Sequence, residues 1–148
     1  MKRAISRLTA ALAMMLVALM LAGGAPAASS DEQLVQARIA TMKQNGQILR
    51  GAKTLSGEKA VAAASTILKN FKSFPGLFRE GSITSDSRAT DKIWQNWADF
   101  TKRLKAEERN AEAMLAAAQA GDKKGYEAAI EALKKPCSSC HLAYADVF

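Results

Sequence analysis

The chain has 148 residues, a length typical of one domain, and 21 basic against 14 acidic residues give it a formal net charge of +7. The basic residues do not form a stripe with interleaved aromatic side chains, which excludes the usual nucleic-acid-binding proteins. Alanine is abundant, β-branched residues are few and the apolar spacing is helical, so the sequence predicts an all-α protein.

The N-terminal segment has the composition of a secretory signal peptide. Three basic residues within the first seven precede an apolar stretch over residues 10–22, and Ala25-x-Ala27 is a small-residue cleavage site. The stretch is short for a membrane span, so stable membrane insertion is not expected. We assign residues 1–27 to the signal peptide and residues 28–148 to the exported domain. The signal peptide holds three basic residues and no acid, which leaves the exported domain a formal net charge of +4.

The first predicted helix begins at a capping box, Ser30-Asp31-Glu32-Gln33, and ends near Gly51. Gly46 falls on its inner face, where a small residue would let a bulky group approach. The apolar stripe of this helix has the a/d spacing of a bundle helix and consists of Val35, Ile39, Met42 and Leu49.

A second helix is expected to begin after Ser56 and to end near Asn70 or Phe71, with Val61, Ala64 and Leu68 on its stripe. Residues 73–89 form the longest irregular segment. It holds too many apolar residues for a free linker, so we expect it to pack on the helices. Those residues are Phe74, Leu77, Phe78 and Ile83.

The third helix is predicted to begin at Thr90 or Asp91 and to end near Gly121, and Asp122 begins a fourth. Pro136 should kink or divide the fourth helix. Four helices with one long connection predict an antiparallel four-helix bundle. The third helix's stripe is Ile93, Trp97, Phe100, Leu104, Ala111, Leu115 and Ala118, and the fourth helix's is Tyr126, Ile130, Leu133, Cys137, Cys140 and Tyr144.

The fourth helix carries a C-x-x-C-H run, Cys137-Ser138-Ser139-Cys140-His141, which is the attachment sequence for c-type haem. On a helix the two thiols and the imidazole share one side. The thiols can then add to two vinyl groups of the porphyrin, and the imidazole can reach the iron. His141 is the chain's only histidine. We therefore expect one covalent haem c, attached through Cys137 and Cys140, in the core of the bundle.

Three other kinds of site use the same residue types. A structural zinc site usually needs four ligands, and the chain has two cysteines and one histidine. A thioredoxin-like redox pair would need a βαβ context that the pattern does not contain. A disulfide between residues three apart would constrain the unfolded chain little. A haem-free protein that uses the two thiols is the main alternative left open.

An exported four-helix chain with C-x-x-C-H near its C-terminus resembles the class II cytochromes c, the cytochrome c′ and cytochrome c-556 family. Residues 38–46 resemble the first helix of that family, residues 78–94 its middle section, and an aromatic residue three positions after the histidine also fits. The resemblance implies that Met42 faces the iron opposite His141 and that Arg38 lies near a haem propionate. It also implies a periplasmic location, where bacteria attach haem c.

Taken without the resemblance, Met42 would be a packing residue and Arg38 a surface arginine. One position departs from the family pattern, because Ala145 stands where a basic residue usually lies close to the proximal histidine. This departure leaves the tuning of the proximal side open.

Two functions follow from the resemblance. The first is one-electron transfer, with iron held between His141 and Met42, to redox partner proteins that the positive charge would attract. The second is a five-coordinate cytochrome c′ that binds nitric oxide or carbon monoxide, with Met42 only shielding the distal face. The run from Met42 to Gly46 resembles the low-spin members and favours the first. No distal histidine or acid–base motif suggests enzymatic turnover, and homodimer formation stays open.

Overall fold

The computed structural model describes residues 30–146, so the signal-peptide prediction lies outside the described residues. This part of the chain contains no β-strand, and one isolated bridge joins Ala89 to Ala145. Short 3-10 helices cover Ala52–Thr54 and Phe74–Leu77. The α-helices are α1 (Ser30–Gly51), α2 (Gly57–Ser73), α3 (Lys92–Gln95), α4 (Trp97–Ala120), α5 (Lys123–Lys134) and α6 (Cys137–Tyr144).

These elements form the predicted four-helix bundle. Two of its four helices are interrupted: α3 and α4 together make one, and α5 and α6 together make the other. The most extensive packing is between α2 and α4 and between α4 and α5. Ile67, Met114 and Ile130 from these three helices are fully buried. None of the helices within residues 30–146 combines the length and apolar character needed to cross a membrane.

The predicted helix ends are largely confirmed. The helix α1 ends at Gly51, Ser56 is the N-cap of α2, and α4 ends at Ala120 with Gly121 as its C-cap. Gly121 has a left-handed φ of 67°, which glycine adopts without steric cost at a helix C-terminus. Asp122 then caps α5, because its Oδ1 accepts the backbone N–H of Gly125 at 2.9 Å.

Each of the two interruptions has a local cause. Pro136 lies between α5 and α6, as predicted, and its carbonyl accepts the backbone N–H of Cys140 at 3.0 Å. The break at Asn96 between α3 and α4 was not predicted. Its side chain donates to the carbonyl of Lys92 at 3.1 Å, a local hydrogen bond that competes with regular helix geometry.

The buried faces differ in detail from the predicted stripes. In α2, Ile67 is fully buried, whereas Leu68, which was predicted to lie on the inner stripe, is only half-buried. In α4 Met114 is in the core, Leu115 is half-buried, and Trp97 is 38% exposed. A straight helix drifts relative to a strict seven-residue repeat, so the core-facing line moves to neighbouring positions.

The segment after α2 packs on the bundle through aromatic rings. Phe74 and Phe78 are buried and their centroids lie 5.0 Å apart, but Ile83 is 44% exposed, against the prediction. The Phe78 ring lies 4.9 Å from Phe100 of α4, which lies 5.3 Å from Tyr144 of α6. These edge-to-face pairs connect the irregular segment to both helices. They form one side of the site described next.

Candidate functional site

A cavity of about 410 Å³ lies among α1, residues 86–89, α4 and α6. Its volume is in the range of small-molecule and cofactor sites, and most of its wall is apolar. The polar or charged side chains at its wall include Arg38, Asp86, Ser87, Arg88 and His141. The apolar part of the lining includes Val35, Ile39, Phe74, Phe78, Ile93, Phe100 and Leu104.

Met42, Cys140 and His141 all line this cavity. Met42 comes from α1 and is half-buried, whereas Cys140 and His141 come from α6. The fold therefore brings the thioether of Met42 to the thiol and imidazole of Cys140 and His141, which lie about a hundred positions later in the sequence. Ile39, one turn before Met42, is 43% exposed, because it lies at the wall of the cavity and not against another helix.

The two cysteines differ in their surroundings. Cys140 is half-buried, but Cys137 is exposed and its Sγ donates to the carbonyl of Leu133 at 3.5 Å. The prediction that both occupy core positions is therefore wrong for Cys137. The break at Pro136 starts a new helix at Cys137, so the register of α5 does not continue into α6. Burial raises the pKa of both free thiols.

Arg38 is buried, with only 5% of its surface exposed, and it also lines the cavity. Its Nε donates to the carbonyl of Leu77 at 2.8 Å and its Nη1 to the carbonyl of Ser82 at 2.8 Å. Its Nη2 donates to the Ser82 hydroxyl. The guanidinium lies 4.2 Å from the ring centroid of Phe78. Burial lowers the pKa of Arg38, and the charge of Asp31 partly opposes this.

Residues 86–89 complete the cavity wall and were not predicted as site residues. Asp86 accepts from the side chain of Gln36 at 3.0 Å, and Arg88 donates to the carbonyl of Asp146 at 2.7 Å. The backbone N–H of Thr90 donates to the carbonyl of Tyr144 at 3.0 Å. The segment is thereby attached to α1 and to the end of α6. No local pattern in the sequence predicts these contacts.

A second group missed by the sequence lies between α4 and α6. The Tyr144 hydroxyl donates to Asp99 Oδ2 at 2.7 Å, and Arg103 Nε donates to the same oxygen at 2.6 Å. The hydrogen bonds from Tyr144 and Arg103 lower the pKa of Asp99. The spacing of Asp99 and Arg103 predicts an ion pair on one helix face, but not its link to Tyr144.

Glu107 lies two turns after Asp99 on α4. Its side chain is half-buried, and its Oε2 is buried without a hydrogen-bond partner. Burial raises the pKa of Glu107, and a hydrogen bond with Asn110 partly opposes this.

The residues at the cavity fit a c-type haem. The apolar wall suits the porphyrin, Cys140 offers a thiol for a thioether bond, and His141 and Met42 are side chains that bind haem iron in c-type cytochromes. Arg38 and Arg88 supply positive charge at the same wall for carboxylate groups. These side chains match the iron and one of the two thioether bonds, whereas Cys137 is not among the residues that line the cavity.

Comparison with known proteins identifies the family. Residues 29–145 match the profile of the family described as Cytochrome C′. Cytochrome c-556 from Agrobacterium tumefaciens strain II Chrys is 36% identical over 117 residues, covering 74% of this chain and 94% of that protein.

Solved structures agree with the fold. The chain superposes on cytochrome c prime from Shewanella frigidimarina with a TM-score of 0.70 and 25% identity, covering 80% of this chain and 98% of the other. A nitric oxide complex of a cytochrome c prime variant from Alcaligenes xylosoxidans gives a TM-score of 0.71 at 22% identity, with the same coverage. The chain therefore belongs to the cytochrome c′ family, as a cytochrome with covalently attached haem c that carries electrons or binds gases.

Proposed function

We propose that the protein is a periplasmic one-electron carrier whose haem is attached through Cys137 and Cys140, with His141 as the proximal and Met42 as the distal iron ligand. The observation that carries the proposal is that Met42 and His141, from the first and last helices, line one cavity. When bound, the haem supplies a one-electron ferric–ferrous couple, and Met/His ligation raises its reduction potential.

The protein residues have separable tasks in this proposal. His141 would bind the iron through an imidazole nitrogen, and Met42 would offer a flexible, polarizable thioether at the position that a gas molecule would otherwise take. The apolar wall keeps water away from the site. Arg38 uses three of its five N–H groups on Leu77 and Ser82, which leaves two to meet a propionate.

The partners proposed for this carrier are acidic redox proteins. The exported domain has a formal net charge of +4 by sequence, and a positive surface speeds the encounter with a negatively charged partner. Membership of a family of haem c carriers or gas binders supports electron exchange with proteins over enzymatic turnover. Periplasmic location rests on the signal sequence predicted for residues 1–27.

A second function, binding of nitric oxide or carbon monoxide by five-coordinate iron, is supported by a specific observation. The similar cytochrome c prime from Alcaligenes xylosoxidans was solved as a nitric oxide complex. In this alternative Met42 and Ile39 would only narrow the approach to the iron. A homodimer is compatible with either function.

Optical spectra of the oxidised and reduced protein test the proposal. A low-spin ferric spectrum with a sulfur-to-iron band supports Met42 as a ligand. A high-spin ferric spectrum at neutral pH would contradict electron transfer and support binding of nitric oxide or carbon monoxide instead.

A further inference from the structure

Three charged residues recur every four positions along α4, namely Asp99, Arg103 and Glu107, and we call them the charge row. Side chains four apart share one helix face. Tyr144 of α6 donates its hydroxyl to Asp99 Oδ2 at 2.7 Å, and the Arg103 guanidinium lies over the ring of the same tyrosine. The face of α4 that carries the row is therefore directed at the attachment helix α6.

Arg103, the positive member of the row, is held in place by two contacts. Its Nε donates to Asp99 Oδ2 at 2.6 Å, and its guanidinium lies 5.8 Å from the ring centroid of Tyr144. That distance is within the range of a cation–π contact. Tyr144 is buried, lines the cavity and comes three residues after His141, so these contacts fix the cation beside the turn that carries the histidine.

The helix α6 has no basic residue of its own beyond His141, and Ala145 follows it. Arg103, on the neighbouring helix α4, supplies a positive charge beside α6.

We propose that the charge row sets the reduction potential of the haem, with Arg103 raising it and Asp99 and Glu107 lowering it. An electron added near the iron is stabilised by a nearby positive charge and destabilised by a nearby negative one. The inference rests on the haem-carrying function proposed above, but it holds whether or not Met42 binds the iron. Arg103 acts through the field at the haem and is a positioning residue, not a ligand.

The members of the row should differ in their sensitivity to salt. The side chains of Arg103 and Asp99 are 41% and 47% exposed, so dissolved ions screen their charges. Glu107 is half-buried with Oε2 out of contact with water. Shifts caused by Arg103 and Asp99 should shrink as ionic strength rises, and the shift caused by Glu107 should persist.

The test is the midpoint potential of the haem-loaded protein, measured by spectroelectrochemistry at low and high salt. Arg103→Gln should lower the potential, Asp99→Asn and Glu107→Gln should raise it, and Arg103→Lys should stay near wild type. Lys105→Gln is the matched control, because Lys105 projects about 200° around the same helix from Arg103 and pairs with Glu108 at 2.7 Å. Its potential should not change.

Three results would overturn the inference: an unmoved potential in Arg103→Gln, an equal shift in Arg103→Lys, or a shift of the same sign in all three charge-removing variants. If Arg103→Gln cannot be loaded, the signs in Asp99→Asn and Glu107→Gln decide. A wild-type protein without covalent haem, judged by intact mass, would defeat the haem-carrying function itself. A loaded wild type with unmoved potentials in the variants defeats only this inference.

Discussion

The buried guanidinium of Arg38 donates to both the backbone carbonyl and the side-chain hydroxyl of Ser82, forty-four positions away. With its third bond to Leu77, it attaches the irregular segment after α2 to the helix that carries Met42. Together with the hydrogen bond from Gln36 to Asp86, these bonds hold the cavity wall against α1.

Arg38→Met should therefore destabilise the fold. It removes three hydrogen bonds and leaves the buried carbonyls of Leu77 and Ser82 without their donor, at a cost on the order of 2–4 kcal/mol. For a domain of this size the melting temperature should fall by about 10 °C. Arg50→Met is the control, because Arg50 is exposed on the same helix. Equal melting temperatures for Arg38→Met and wild type would show that the hydrogen bonds of Arg38 do not stabilise the fold.

The attachment of haem should be visible in the mass of the acid-denatured protein. Expressed with haem-maturation machinery, the chain should carry one haem that survives denaturation. Cys137→Ser and Cys140→Ser should each remove one of the two thioether bonds. Intact-mass measurement decides, and a wild-type mass equal to that of the bare polypeptide from a competent host contradicts the assignment.

The haem should also be needed for full packing of the bundle. The cavity of about 410 Å³ has an apolar wall, and an unfilled apolar volume destabilises a core by about 24 cal/mol per Å³ in well-studied cases. The double variant Cys137→Ala with Cys140→Ala should show lower helix content and a lower melting temperature. Circular dichroism measures both, and unchanged values would refute this dependence.

The pH dependence of the protein's stability should include a contribution from Glu107. Burial raises its pKa, so the folded protein holds the proton at pH values where the unfolded chain has released it. Its contribution is then complete below the unfolded pKa and is lost as pH rises through the folded pKa. Glu107→Gln should therefore raise the melting temperature at about pH 8 and change it little at about pH 3.5.

The control for this prediction is Glu108→Gln. The carboxylate of Glu108 pairs with Lys105 at 2.7 Å, and its loss should cost little. A Glu107→Gln effect that is the same at both pH values would mean that burial of the charge is not its cause.

The helices could be predicted from the sequence because their signals are local. Apolar residues recur at helical spacing, and Gly51, Gly121 and Pro136 mark ends through their own backbone chemistry. The C-x-x-C-H run is also local, and the haem c that it predicts is confirmed by the family.

The remaining features depend on which elements pack together. Arg38 is polar and is still buried, because its partners are carbonyls of a distant segment. The bond from Tyr144 to Asp99 joins two helices whose register is set only by packing. The exposure of Cys137 follows from the helix break at Pro136, which a continuous apolar stripe does not predict.

Met42→Ala should separate a ligand from a steric wall. If the thioether binds iron, the substitution should open the sixth position, change the ferric iron from low to high spin and lower the reduction potential. Ile39→Ala is the matched control, since Ile39 lines the same cavity one turn away and has no atom that binds iron. If the wild type is already high-spin and both substitutions only speed gas binding, Met42 restricts access to the iron sterically and does not bind it.

The most direct measurement is the optical spectrum of the unmodified protein at neutral pH, ferric and then ferrous with carbon monoxide added. A carrier ligated by His141 and Met42 gives a low-spin ferric spectrum with a sulfur-to-iron band, and its ferrous form resists carbon monoxide because a bond must break first. A high-spin ferric spectrum with rapid carbon monoxide binding would contradict electron transfer through a Met42-ligated haem.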